Sequence, residues 1–283
     1  MKFNTLAKFL LISTFFVNSL SKNCTIEKGF KEKSIPTSIM ATESNSKNLD
    51  TKELNWYFNP RNDGLTPEPA KEGAELIKKY DSYYVGDTKE KVLYLTFDEG
   101  YENGYTNQIL DVLKKHDVKA AFFVVKPYIT SNPDIIKRMV DEGHLVCNHS
   151  CNHPSMASIK DKDKFSKELL DLEACYENAT GGKKMAKYFR PPMGKYSELS
   201  LHYTKELGYK TIFWSFAYKD WDPKSQPSKE KALDTVLKRS HNGAIVLLHA
   251  VSKTNTEILD ELITTWKSQG YSIKSLDELP SQQ

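Results

Sequence analysis

Apolar runs and helical periods alternate along most of this chain. From Lys91 onward, short apolar runs recur: VLYLTF, AAFFVV, HLVC, KYF, TIFWSF, AIVLLH and, more weakly, Tyr271-Ser272-Ile273. Between them, at 106–116, 133–142, 162–178, 198–207, 229–240 and 256–269, the pattern turns helical. In the first of these, Ile109, Leu110, Val112 and Leu113 share one helical face. Near-continuous apolar strands alternating with amphipathic helices predict an α/β fold with a parallel sheet covered by helices. About seven such units, one short of eight, predict a distorted (β/α) barrel, with an open sheet as the alternative. In either, the chemistry belongs at the C-terminal ends of the strands.

Residues 1–90 break this rhythm. Lys2 and Lys8 flank the apolar stretch FLLISTFFV, and small residues follow at Ser19 and Ser21. That reads as a signal peptide over 1–21, or an uncleaved N-terminal anchor, and predicts an extracytoplasmic protein. LSKNC is a poor lipoprotein box. Residues 22–52, rich in Lys, Ser, Asn and Thr, are expected to be a flexible linker. Residues 53–90 carry Leu54-Asn55-Trp56-Tyr57-Phe58, whose aromatics are expected to pin this extension onto the barrel of residues 91–283. A helix is expected near 71–80.

The net charge of +3 comes from interspersed residues of both signs, without a basic stripe, so nucleic acid is not an expected partner. The four cysteines, Cys24, Cys147, Cys151 and Cys175, leave their state open. Secreted proteins usually pair theirs, yet free thiols fit a reducing habitat. No second CxxC supports a zinc knuckle.

The strand ends carry ionisable groups. The first ends in Asp98 and Glu99, the third runs into His149 and His153, the fourth into Arg190 and Pro191-Pro192, the fifth reaches Asp220 and Trp221, and the sixth ends in His249. Two adjacent acids where a buried strand stops need compensation, and a cation is the obvious source. His149 and His153, four apart, share a face if they lie on a helical turn, a spacing that suits a divalent ion. With one of the two acids as the carboxylate they form an open catalytic set, and the other acid is left to take a proton. A glycosidase pair is disfavoured, because sequence neighbours rarely span a sugar.

Each residue also has a plainer reading. The histidines fit a surface loop, His249 a hydrogen-bonded core position, Arg190 a surface ion pair and Trp221 the core. Placed together at one mouth, His249 reads as a general acid tuned by Asp220, and Arg190 as the partner that keeps a catalytic carboxylate ionised. Pro191-Pro192, then Gly194, forms a rigid turn in which a backbone N–H can face an oxyanion. Trp221 can wall the cleft and stack on a sugar.

TFDEG, HSCNH, RPPMG, KDW and LLH, in this order, resemble the five motifs of the polysaccharide deacetylases, the NodB-homology enzymes of carbohydrate esterase family 4. NWYF, PRNDG, YVGDT, TFDEGYENGYT, FWSFAYKDW and LLHAVSK resemble the delta-lactam-biosynthetic de-N-acetylases of spore formers. The resemblance implies a NodB-type barrel that removes acetyl groups from N-acetylated sugars with a divalent metal, zinc being expected. It implies Asp98 as base, His249 as acid, Arg190 and Asp220 as their partners, and Glu99, His149 and His153 as metal ligands. Pro192, Met193, Gly194, Trp221 and Leu247 are implied substrate contacts. The subgroup implies muramic acid in peptide-stripped peptidoglycan as the target, muramic δ-lactam of the spore cortex as the destination, and a functional link to an N-acetylmuramoyl-L-alanine amidase. The rivals are an N-acetylglucosamine deacetylase and a weakly active glycan-binding module. A monomer is expected. One departure stands out: Glu99 occupies a position where the family has Asp. Lys126, Lys195 and Tyr196 are further candidates for meeting the lactyl ether of muramic acid.

Overall fold

A computed structural model describes residues 48–281. The expected signal segment, most of the expected linker and Cys24 lie outside the described residues.

The seven expected runs join one parallel sheet. Its strands are β3 (Val92–Glu99), β4 (Ala121–Val124), β5 (Leu145–Asn148), β6 (Tyr188–Phe189), β8 (Lys210–Ile212), β9 (Ala244–His249) and β10 (Ser272–Lys274). An eighth, β2 (Ser82–Tyr83), comes from the extension and pairs with β8 in parallel. β3 is the hub: β9 lies along one edge, and β4 and β10 share the other. Between β8 and β9 the barrel closes by a single parallel bridge, Phe216 to Val246, and this is where it is distorted. The alternation of side chains along β3 sorts the core. Val92 and Tyr94 turn inward to Ala121, Phe123, Cys147 and Ile245. Leu93, Leu95 and Phe97 turn outward to the helices.

The helices start and stop where the local chemistry dictates. α5 (Lys162–Thr180) is capped by Asp161, whose side chain accepts from the Lys164 N–H, and ends at Gly181 in the left-handed region. α6 (Glu198–Glu206) opens with a reciprocal Ser197–Ser200 capping box. α8 (Lys253–Ser268) is capped by Ser252, which accepts from the Asn255 N–H. α2 (Thr106–Lys115), α4 (Pro133–Asp141) and α7 (Lys229–Arg239) fall on the expected periods, and the short α3 (Lys126–Ser131) precedes α4.

The extension is built into the frame of the barrel mouth. β1 (Leu54–Asn55) pairs antiparallel with β7 (Lys195–Tyr196), just after the RPPMG turn. Trp56 is buried, stacks on Phe213 at 4.6 Å, and donates its indole N–H to the Trp214 carbonyl. Its backbone N–H donates to the Gly194 carbonyl at 2.7 Å. α1 (Lys71–Lys79) lies at the expected place. β1, β2 and β7 are only two residues each, too short for periodicity to reveal.

Among the described residues Cys147, Cys151 and Cys175 are free thiols, and Cys147 is a core residue inside the barrel. Burial pushes its thiol pKa far up, which makes it inert.

Candidate active site

The strand ends open into a cleft of about 490 Å3 lined by Asp98, His149, His153, Trp221, Leu247 and His249, among others. Its centre is a buried ion pair. The Arg190 guanidinium is fully buried and donates to Asp98 Oδ1 at 2.6 Å, to Thr96 Oγ1 at 2.9 Å and to the Ile212 carbonyl at 3.1 Å. Its Cζ lies 4.1 Å from the centre of the Phe123 ring. Burial alone would raise the Asp98 pKa, but Arg190, with His149 and His249, outweighs it and holds the carboxyl below its ordinary value.

Opposite stands a second pair. Asp220, fully buried, accepts from His249 Nδ1 at 2.8 Å and from the His249 backbone N–H at 2.9 Å. Burial lowers the imidazole pKa, but the hydrogen bond and charge of Asp220, helped by Asp98, lift it above the ordinary value. With Nδ1 held by Asp220, Nε2 is left to carry a transferable proton.

His149 and His153 meet with ring centroids 4.9 Å apart. They do so on a loop and not on a helical turn, which corrects the expectation: Ser150 and His153 both adopt positive φ, and this folds the five residues back on themselves. His149 Nδ1 sits 2.8 Å from the Arg190 carbonyl, so Nδ1 carries the hydrogen and Nε2 keeps a lone pair. Burial lowers both imidazole pKa values, that of His149 to about 4, so both are neutral, as ligands must be. Asp98 Oδ2 lies 3.6 Å from His149 Nε2. This pair of imidazoles fits a divalent cation.

Glu99 does not join them. Neighbours on a strand point to opposite faces, so the residue beside Asp98 is turned toward the helix layer. Glu99 is fully buried, and both its carboxylate oxygens lack a hydrogen-bond partner. Burial, with Glu102 and Asp98 nearby, pushes its pKa well above the ordinary value. In this conformation the Glu99 carboxylate stands outside the cleft lining, and among the described residues no three His, Cys, Asp or Glu side chains group as a metal site.

The RPPMG turn forms one wall. Met193 is left-handed, φ 58°, and its side chain projects into solvent at the cleft edge. Gly194 is also at positive φ, and a Cβ there would press on Trp214 at 3.0 Å and Trp56 at 3.2 Å. Pro192, expected at the substrate, is buried within the turn, and Pro191 lines the cleft in its place. Trp221 is not a core residue: it is 53% exposed, with its ring 6.0 Å from that of His249. Tyr101, Trp214 and Tyr218 complete the wall. The sequence held only a faint sign of them: Tyr101 directly follows TFDEG, and Trp214 and Tyr218 stand just ahead of KDW. Lys126, Lys195 and Tyr196 do not line the cleft; Lys195 is paired with Glu53 and the Tyr196 side chain is buried.

A parallel, irregularly closed barrel with a buried Asp–Arg pair, an Asp–His pair and two neutral histidines at one mouth is the arrangement of a metal-assisted amide hydrolase. The family comparison agrees: residues 85–212 match the polysaccharide deacetylase model, and the chain belongs to that family. It is 47% identical over 231 residues to the peptidoglycan-N-acetylmuramic acid deacetylase PdaA of Bacillus subtilis, covering 82% of this chain and 87% of that one. The solved structure of PdaA, a family 4 carbohydrate esterase, superposes with a TM-score of 0.79 at 46% identity, over 82% of this chain and 98% of that one. A peptidoglycan-N-acetylglucosamine deacetylase from Listeria monocytogenes is 36% identical over 193 residues, 67% of this chain and 39% of that one.

Proposed function

We propose that this enzyme hydrolyses the N-acetyl group of N-acetylmuramic acid in peptidoglycan whose peptide stems have been removed. The observation that carries this substrate is the 47% identity to the muramic acid deacetylase along nearly its whole length, against 36% to the glucosamine enzyme. The product is muramic acid with a free amine, which suits it to muramic δ-lactam formation in spore cortex. An amidase that strips the peptide would act first, outside the cytoplasm, and the enzyme works as a monomer.

The chain's own residues divide the work. His149 and His153 hold the cation, for which we propose zinc. When bound, a cation of this kind polarises the acetamide carbonyl and acidifies water. Asp98, kept ionised by Arg190, takes the proton of the attacking water. In the RPPMG turn the Gly194 N–H is spent on the Pro191 carbonyl, which leaves the Met193 N–H as the donor for the oxyanion. His249, oriented by Asp220, gives its proton to the departing sugar nitrogen as the C–N bond breaks. Acetate and the free amine result. Trp221, Tyr101 and Leu247 supply the apolar surface on which the sugar ring rests.

The test is mass spectrometry of glycan fragments after incubation with peptide-stripped and with peptide-bearing peptidoglycan, each with added zinc and with chelator. Acetyl loss from muramic residues in the stripped, zinc-supplied sample alone is expected. Loss from glucosamine overturns the substrate assignment. Tight glycan binding without any loss favours a binding module.

A further inference from the structure

Behind the Asp220–His249 pair lies a buried amide that the mechanism above does not use. Asn255, in the first turn of α8 and 1% exposed, donates Nδ2–H to Asp220 Oδ2 at 2.6 Å and to the His249 carbonyl at 3.2 Å. The Tyr218 hydroxyl donates to Asn255 Oδ1. The Asp220 carboxylate and the His249 carbonyl can only accept, which settles that the amide nitrogen faces them and leaves its oxygen for the Tyr218 hydroxyl. The loop bearing Asp220 is tied to the same helix end: Gln226 donates to the Asp220 carbonyl and accepts from Ser252, the cap of α8.

We propose that Asn255, oriented by Tyr218, is a positioning residue that locks the Asp220 carboxylate onto His249 Nδ1 and so keeps Nε2 aimed at the leaving nitrogen. His249 donates to both Asp220 oxygens, and Asn255 adds to Oδ2 a donor from a second element, so the carboxylate plane is held from α8 as well as from the strand it serves. Asp220 is fully buried, so without Asn255 one of its oxygens keeps only the His249 backbone N–H. Tyr218 also lines the cleft, so its ring stands between the substrate and this relay. The charged and titratable groups that face the unit are His249 on Asp220, Tyr218 on Asn255, and Asp98, Arg190 and His153 around the His249 ring. Lys253, on the same helix, points outward and pairs with Glu257.

This inference rests on the deacetylase reading for its kinetic arm but not for its spectroscopic one. The full chain is compared with Asn255→Leu, which matches the shape without the donor, with Asn255→Asp and with Tyr218→Phe. The first readout is the low-field proton NMR signal of His249 Nδ1–H, assigned by its loss in His249→Gln. The second is kcat and KM against pH. Outer hydrogen-bond partners of this kind are worth about 10–100-fold. In Asn255→Leu the low-field signal is expected to vanish and kcat to fall by that amount while KM holds. Tyr218→Phe is expected to change both in the same direction but less. Asn255→Asp is expected to keep the signal and the rate at the acid end of the profile, where the new carboxyl still has a proton to donate. A folded Asn255→Leu with signal and kcat intact overturns the proposal. If that variant does not fold, Asn255→Asp decides, and loss of signal and rate across the whole pH range contradicts the positioning role. If the wild type turns over no glycan, the function reading fails while the NMR signal still tests the relay.

Discussion

Asp98 and His249 face each other in register on adjacent parallel strands, and their environments push them to opposite charges. Arg190 outweighs burial to hold the Asp98 pKa below its ordinary value, and Asp220 outweighs burial to lift that of His249 above its own. Two groups whose pKa values are driven apart can act as base and acid at one pH. Activity is therefore expected to fall on the acid side as Asp98 gains its proton, and on the alkaline side as His249 loses its own. Asp220→Asn removes the charge that lifts the imidazole, so the alkaline limb of kcat should move to lower pH. A pH–rate profile checks this; an unmoved limb contradicts the pairing.

Arg190 gives a stability prediction. Replacing a fully buried guanidinium by methionine strands Asp98, and breaking a buried pair from one side costs about 3–5 kcal/mol. The folded pKa of Asp98 lies below its unfolded value, so this contribution is present above the unfolded pKa and is lost as pH falls through the folded one. Urea unfolding of Arg190→Met should show the full deficit at neutral pH and a shrinking one toward strong acid. A deficit unchanged at all pH values argues against an ionised Asp98.

Glu99 makes the reverse case. Its folded pKa is raised, so stability is greatest below its unfolded pKa and declines as pH rises through the folded one. Glu99→Gln keeps the shape and removes that penalty. Its melting temperature should exceed that of the wild type at neutral and alkaline pH, with the gap closing near pH 4. Zinc affinity by titration calorimetry should be unchanged in this variant. A loss of zinc binding restores Glu99 as a ligand and removes our placement of it.

His149 and His153 are expected to carry the metal. Alanine at either position should lower zinc affinity by at least 10–100-fold, since outer partners alone are worth about that much. Chelator should silence the wild type, and zinc should restore it. Metal content by elemental analysis, beside melting curves to show folding, provides the check.

Much of this site can be read from residue order, because an apolar run that stops at an ionisable residue marks both a strand and its active end. Asp98, Arg190, Asp220 and His249 were legible for that reason. That Glu99 stands on the opposite face from Asp98 was not legible, because adjacency in sequence suggests shared duty whereas a strand sends neighbours to opposite faces. The His149–His153 pair was legible as a pair but not in its geometry, which depends on left-handed Ser150 and His153. β2 escaped notice because two residues have no period, and its place in the sheet is set by parallel pairing with β8. Tyr101, Trp214 and Tyr218 reach the cleft through loop paths that no local pattern encodes. Asn255 looks like an ordinary helix-start residue until α8 brings it to Asp220.

The most direct measurement is acetate release from peptide-stripped peptidoglycan by the wild type, Asp98→Asn and His249→Gln, all zinc-loaded. Losing a general base or acid costs about 10²–10⁴-fold. Each variant should fold, bind zinc and lose at least that much of kcat. Near-wild-type release by either folded, zinc-bound variant would remove it from the reaction and, with it, the pairing of Asp98 and His249 across the cleft.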